Sequence, residues 1–166
     1  MEDNFKVSII IPCQNDKKYL SKCINAIYNQ TVLPKEIIIV DSSINNEIKE
    51  YIHKLNSKNK IKIIYKRIVK SYAGRSTNYG FNFVSNNYVA LLDTKTIPKF
   101  NWIEIAKAKF SEKNVDIVFG TTKFIPITKF QKIVQSISYG NTNHETVPGT
   151  IFKSNLLNNK YLKLAL

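Results

Sequence analysis

Short uninterrupted apolar runs alternate along this chain with segments whose apolar residues recur every three or four positions. Residues 6–12 (KVSIIIP), 36–40 (EIIIV) and the start of 88–98 (YVALLDTKTIP) are runs of the first kind. Brief runs without alternation suit strands covered on both faces, as in a parallel sheet flanked by helices. Residues 61–65 (IKIIY) alternate in part, as a strand nearer an edge does, and residues 116–119 supply a fifth strand ending at Gly120. Leu20, Cys23, Ile24, Ile27 and Tyr28 form one helical stripe, and Ile48, Tyr51, Ile52 and Leu55 form a second. His53 lies off the second stripe and is expected on the surface. Trp102, Ile105, Ala106 and Phe110 mark another helix, as do Phe130, Ile133, Val134 and Ile137. Residues 71–80 (SYAGRSTNYG) lead into a helix continued by residues 81–84. Residues 139–147 read as a polar loop and 148–153 (PGTIFK) as a short strand.

Strands alternating with helices imply βαβ units, hence an α/β fold with a mostly parallel central sheet flanked by helices. Right-handed crossovers line the first three strands up outward on one side. The strand at Tyr88 then returns to the other side of the first. That order brings residues 12–15, Asp41 and Asp93 to one crevice at the carboxyl ends of the strands, where open α/β sheets bind ligands. Neither GxGxxG nor GxxxxGK[ST] occurs, so dinucleotide and P-loop readings have no support.

Composition narrows the partners. The 166 residues form one domain by length, and 43% apolar with 11% aromatic content argues against disorder. The net charge is +13, from 25 Lys and Arg against 12 Asp and Glu. Such a surplus favours phosphorylated ligands, anionic lipid headgroups or nucleic acid. The lysines are dispersed and no nucleic-acid-binding motif accompanies them, so nucleic acid is not the expected partner. A peripheral contact with an anionic membrane ranks ahead of it. No apolar run reaches membrane-spanning length, and the first residues do not read as a secretory signal. Cys13 and Cys23 form neither a metal pattern nor a disulfide framework. A cytoplasmic setting is therefore expected, with association at the cytoplasmic face of a membrane left open.

The opening KVSIIIPCQNDKKYLSKCINAIYNQTVLPKEIIIVDSS resembles that of the family 2 glycosyltransferases. The matching features are the strand into Pro12 and Asn15, the Tyr19-Leu20 helix, Asn29-Gln30-Thr31, and the strand ending in Asp41-Ser42-Ser43. AGRSTNYG resembles the family's small-residue, basic, Asn-containing segment, and YVALLDTKTIP with Trp102-Ile103-Glu104 resembles its acidic metal-motif strand and following helix. The likeness is good over about the first 120 residues and reaches PGTIFKSNLL faintly.

The resemblance implies a GT-A nucleotide-sugar fold and transfer of a sugar from a nucleoside-diphosphate donor, UDP-linked by preference, to a hydroxyl acceptor. It places residues 1–125 as the nucleotide-sugar-binding half and 126–166 as a partial acceptor-side segment of the same domain, leaving the acceptor half incomplete. Pro12, Cys13, Asn15, Asp41, Arg75, Asn78 and Asp93 occupy positions that in the family face the nucleotide. Asp41 would accept the imide N–H of uracil. Asp93 would be the metal ligand for Mn²⁺ or Mg²⁺, but Lys95 and Thr96 stand where the family usually has further acids. At about 4 Å and an effective dielectric of about 20, one ammonium repels a dication by roughly 8 kcal/mol. Lys95 either neutralises a leaving diphosphate or points to solvent. Lys95, Glu145 and His144 are the catalytic candidates, Glu145 and His144 as a base before PGTIFK rather than at the family's position after it. The alternative is a noncatalytic GT-A-like binding or scaffold domain.

Overall fold

β1 (Val7–Cys13), β2 (Glu36–Asp41), β3 (Lys62–Arg67) and β4 (Tyr88–Leu91) are joined by α1 (Lys17–Tyr28), α2 (Glu47–Asn56) and α3 (Ala73–Phe81). There follow α4 (Trp102–Phe110), β5 (Ile117–Thr122), α5 (Lys129–Ile137), β6 (His144–Lys153) and a 3₁₀ turn at Ser154–Asn158. This computed structural model describes residues 4–56, 61–137 and 144–158. The strands form one sheet in the order β3-β2-β1-β4-β6-β5. β1 pairs in parallel with β2 and β4, and β2 with β3, in the outward arrangement expected of right-handed crossovers. β6 runs antiparallel between β4 and β5, the one reversed strand in a mostly parallel α/β sheet.

Period-two alternation in β1 and β2 splits the core in two. Ile9, Ile11, Ile37 and Ile39 pack on one face with Leu20, Ile24 and Ile27 of α1, Ile48 and Ile52 of α2, and Ile103 of α4. Ile10, Ile38 and Val40 pack on the other with Val89, Phe152 and the partly buried Phe81. Every residue of β2 is buried, which is why its sequence carries no alternation. α3 lies close on the sheet because Gly80 has no side chain. A Cβ there would stand 2.7 Å from Ile10 Cγ2 and 3.3 Å from Val40 Cγ2. At the amino edge, buried Glu36 accepts from the Ser8 hydroxyl (2.7 Å) and from the Ser85 amide and hydroxyl, so its charge is met by three donors.

Several expectations shift. β6 begins at His144, so residues 144–147 are strand rather than loop, while residues 139–143 lie outside the described residues. β5 continues past Gly120 to Thr122, and β3 extends to Arg67. α3 stops at Phe81 instead of running on through Val84. In α4, Ile103 and Ala106 are buried while Ile105 is exposed, so the helix is rotated from the stripe read in the sequence. Among the described residues no helix is long and apolar enough to cross a membrane, and Cys13 and Cys23 are buried free thiols.

Candidate active site

The carboxyl ends of β1, β2, β3 and β4 share one edge, and most of the sequence candidates stand there. Cys13 is paired with Asp41 across the β1–β2 ladder. After β1 the chain turns through Asn15, whose φ of 55° is tolerated better by Asn than by most side chains. The Asn15 amide donates to the Ser43 hydroxyl at 2.7 Å, joining this turn to the one after β2. The loop after β4 is pinned to the start of α1 by the Thr94 hydroxyl, which donates to Asp16 at 3.1 Å.

Two hollows open at this edge. One, of about 280 Å³, is lined by Ala73, Gly74 and Thr77 of α3, by Leu91, Leu92 and Asp93, and by Val147 and Pro148 of β6. The other, wider and about 720 Å³, is lined by Ser42, Ser43 and Ile44, by residues 67–70, and by Tyr79. Its lining contains Arg67 and Lys70 and no acid. α3 contributes to both, and its first turn carries exposed Arg75 with no acidic residue.

Asp93 and Asp41 reach the same edge but not the same hollow. Asp93 is exposed in the wall of the smaller one, and partial loss of water raises its carboxyl above the ordinary range. Asp41 is 0% exposed, and both its oxygens are engaged within the protein. Oδ1 accepts from the Ser43 amide (2.8 Å) and Oδ2 from the Tyr65 hydroxyl (2.7 Å). The Asp41 carboxylate is turned inward, because its place in the β2 alternation faces α1 and α2, and it holds the Ser42–Ser43 turn. Burial, and then the hydrogen bond to Asp41 and its charge, push the Tyr65 hydroxyl above its ordinary value.

Cys13 faces inward too: its thiol is buried against the Val40 carbonyl, and burial drives its pKa upward. Its carbonyl is already met by the Ser42 amide and hydroxyl. Cys23, beneath the same edge, is pushed up to about 12 by burial and then by Asp93. Pro12 is half-buried in β1, and Asn78 sits half-buried on α3. Lys95 lines neither hollow, since its Nζ lies 5.5 Å from the Tyr19 ring on α1. Glu145 is exposed on β6 opposite Thr121 and lines neither hollow; for His144 the backbone alone is described.

Tyr65 and Arg67 were missed, although Tyr65 ends the strand read in the sequence and Arg67 lies two residues past it. Arg67 donates to the Ser43 and Ile44 carbonyls and to the Asn46 side chain, ordering the turn after β2. Only the β2–β3 register brings them there, and an Arg at the end of an exposed strand carries no local signal.

The donor set does not fit a divalent cation of the usual kind. Asp93 is the single carboxylate of its loop, and the Thr94 hydroxyl is committed to Asp16. Among the described residues no three His, Cys, Asp or Glu side chains form a metal-binding group.

Comparison with known proteins gives the family. Residues 8–162 match the model described as glycosyl transferase family 2. The glycosyltransferase GlyG of Streptococcus pneumoniae is 29% identical over 115 residues, covering 69% of this chain and 38% of that protein. The glycosyltransferase AglE of Haloferax volcanii is 32% identical over 123 residues, covering 71% of this chain and 40% of its own. A β-1,3-glucosyltransferase of Escherichia coli, WfgD, named for UDP-Glc and α-D-GlcNAc-diphosphoundecaprenol, is 24% identical over 74% of this chain and 48% of its own. The chain thus spans less than half the length of each of these relatives. Staphylococcus aureus TarS residues 1–349 in complex with UDP-GlcNAc superpose with a TM-score of 0.70 at 19% identity, over 96% of this chain and 48% of that one. The mannosyltransferase PcManGT of Pyrobaculum calidifontis, in complex with GDP-Man and Mn²⁺, gives 0.67 at 15% identity, over 92% and 46%. These structures share the GT-A fold with the sheet described above. With the family model matched over nearly all its length, the chain belongs to glycosyltransferase family 2.

Proposed function

We propose that this domain binds a UDP-linked sugar and passes the sugar to a hydroxyl acceptor, by direct displacement at the anomeric carbon. The observation that carries the reading is a pair of hollows that both take part of their lining from α3, one basic and one bearing Asp93, at the carboxyl edge of a GT-A sheet. The wider hollow, with Ser42, Ser43, Arg67 and Lys70, takes the nucleoside; Asp41 and Tyr65 hold its floor without touching the ligand. Pro12 of β1 and Asn15 of the turn after it stand beside it, the latter through Ser43, and Asn78 supports α3 beneath the donor. The diphosphate lies toward Arg75 and the first turn of α3, where a guanidinium and unpaired helix N–H groups favour negative charge. Asp93 faces the ribose or the transferred sugar in the smaller hollow. The structural neighbours in complex with UDP and UDP-GlcNAc support this donor class.

Charge on the leaving diphosphate is offset by Arg75 and Lys70 rather than by a bound cation, because the loop after β4 lacks the carboxylates a cation needs. Lys95 stays with Tyr19 on α1 and acts on stability more than on turnover. Calorimetric titration with UDP and with UDP-GlcNAc, in Mn²⁺ and in EDTA, tests the proposal. Binding is expected in both, with Arg75→Ala lowering affinity by about tenfold, the loss of one charged hydrogen bond. Failure to bind any nucleotide would defeat it. That result would leave a scaffold domain that keeps the fold without turnover, the reading that Lys95 and Thr96 in the acidic motif support.

A further inference from the structure

We propose that α5 and the loop before it dock on an anionic lipid surface. The helix is closed locally: Gln131 and Thr128 cap its first turn reciprocally, the Gln131 side-chain oxygen also accepts from the Ile127 amide (2.7 Å), and Gln135 Nε2 donates to the Phe124 carbonyl in the loop before it (2.9 Å). Its apolar stripe is left in water. Phe130 is 74% exposed and Ile133 59%, with Val134 beside them. In the loop, Ile125 is 77% and Ile127 87% exposed, and Phe124 is exposed too. None of these six side chains joins either core cluster. An amphipathic surface helix normally turns its apolar stripe to the core.

Charge and shape name the occupant. From residue 117 to residue 144 the chain holds Lys123, Lys129 and Lys132 and no Asp or Glu, and all three lysines are exposed. Apolar side chains flanked by lysines on an unpartnered helix match the interfacial mode, with the stripe in the acyl boundary and the ammonium groups among anionic headgroups. Each lysine near such a surface is worth roughly fivefold in partition. A second copy of the chain is a poor occupant, because it carries the same +13 charge and would bring lysines against lysines. A peptide-binding groove is not indicated, since none of the six lines either hollow.

The placement has a consequence for the edge already described. The segment leaves β5 at Thr122 and re-enters the sheet at His144, a paired position, and β6 then runs through Val147 and Pro148 into the wall of the Asp93 hollow. Docking would therefore set the smaller hollow beside the headgroup layer. The inference does not rest on glycosyl transfer and stands or falls separately from it.

The test is co-sedimentation with vesicles of phosphatidylcholine alone or with about one-third phosphatidylglycerol, at low and high salt. Partition is expected to be at least about tenfold higher on the anionic vesicles and to fall with salt. Phe130→Ser with Ile133→Ser, and separately Lys129→Glu with Lys132→Glu, should each lower it about tenfold or more. All four side chains are exposed, so thermal melting and UDP titration of the variants should match those of the parent chain. Equal partition on both vesicles, no partition at all, or variants that partition like the parent would overturn the proposal. So would a concentration-dependent dimer, or a complex with an acidic protein, that the serine pair abolishes while vesicle binding is absent.

Discussion

Replacing Tyr65 by Phe removes one oxygen, and the structure gives a size for the loss. The Tyr65 hydroxyl donates to Asp41 Oδ2 at 2.7 Å, and Asp41 is fully buried. A hydrogen bond to a charged group contributes about 1.5–3 kcal/mol, and depriving a buried carboxylate of a donor forfeits at least that much. Tyr65 is half-exposed, so water can take part of the hydroxyl's place, and the expected destabilisation falls to about 1–2 kcal/mol. For a chain of this size that is a drop of about 2–8 °C in Tm. Urea titration and thermal melting read it directly, and faster hydrogen exchange at the Ser43 amide, which donates to the same carboxylate, would localise it. The pH profile supplies a second check. The fold raises the Tyr65 pKa above its ordinary value of 10.0, chiefly by burial and then through the Asp41 bond and charge. Its contribution is therefore complete below about pH 10 and is lost as pH rises through the folded value. Tyr65→Phe should flatten that alkaline loss. A Tm within about 1 °C of the parent, with an unchanged Ser43 exchange rate, would refute the view that Asp41 is an inward anchor held by Tyr65.

Three further outcomes follow from other contacts. Gly80→Ala gains about 1 kcal/mol of helix propensity but places a methyl 2.7 Å from Ile10 Cγ2, an overpacking cost of about 1–3 kcal/mol; denaturant titration should find net destabilisation of about 1 kcal/mol. Gln30→Ala should cost about 2–3 kcal/mol in the same assay, because the side chain donates to the Ala26 and Lys99 carbonyls and accepts from the Ile103 amide, joining α1 to α4. Asp93→Asn should leave Tm at pH 7 equal or higher. The fold raises this carboxyl above its ordinary value of 3.8, so the stability it confers is present below that pH and lost as pH rises through the folded value, and at neutrality the ionised form is a burden. The same variant should weaken UDP-GlcNAc binding by about tenfold in calorimetry.

The sequence by itself settled the first four strands and most of the helices, because burial on both faces writes an unbroken apolar run and burial on one face of a helix writes a stripe. VSIIIPC, EIIIVD and the stripe of Leu20, Cys23, Ile24 and Ile27 behave this way, and the outward order β3-β2-β1-β4 followed from the handedness of crossovers. It also brought Asp41 and Asp93 to one edge. What each carboxylate does there was decided only in three dimensions. Asp41 continues the alternation of Ile37 and Ile39 into the core face, where Tyr65 and the Ser43 amide claim it, while Asp93 follows the end of β4 into the wall of a hollow. Partners such as Tyr65 and Arg67 depend on register between strands more than twenty residues apart, which no local pattern encodes. The same limit explains β6 and α5. The reversed strand is fixed by pairing with β4 and β5, and the exposure of Phe130 and Ile133 follows from where α5 sits on the fold. A stripe in the sequence states that a face is apolar; only packing states which way it points.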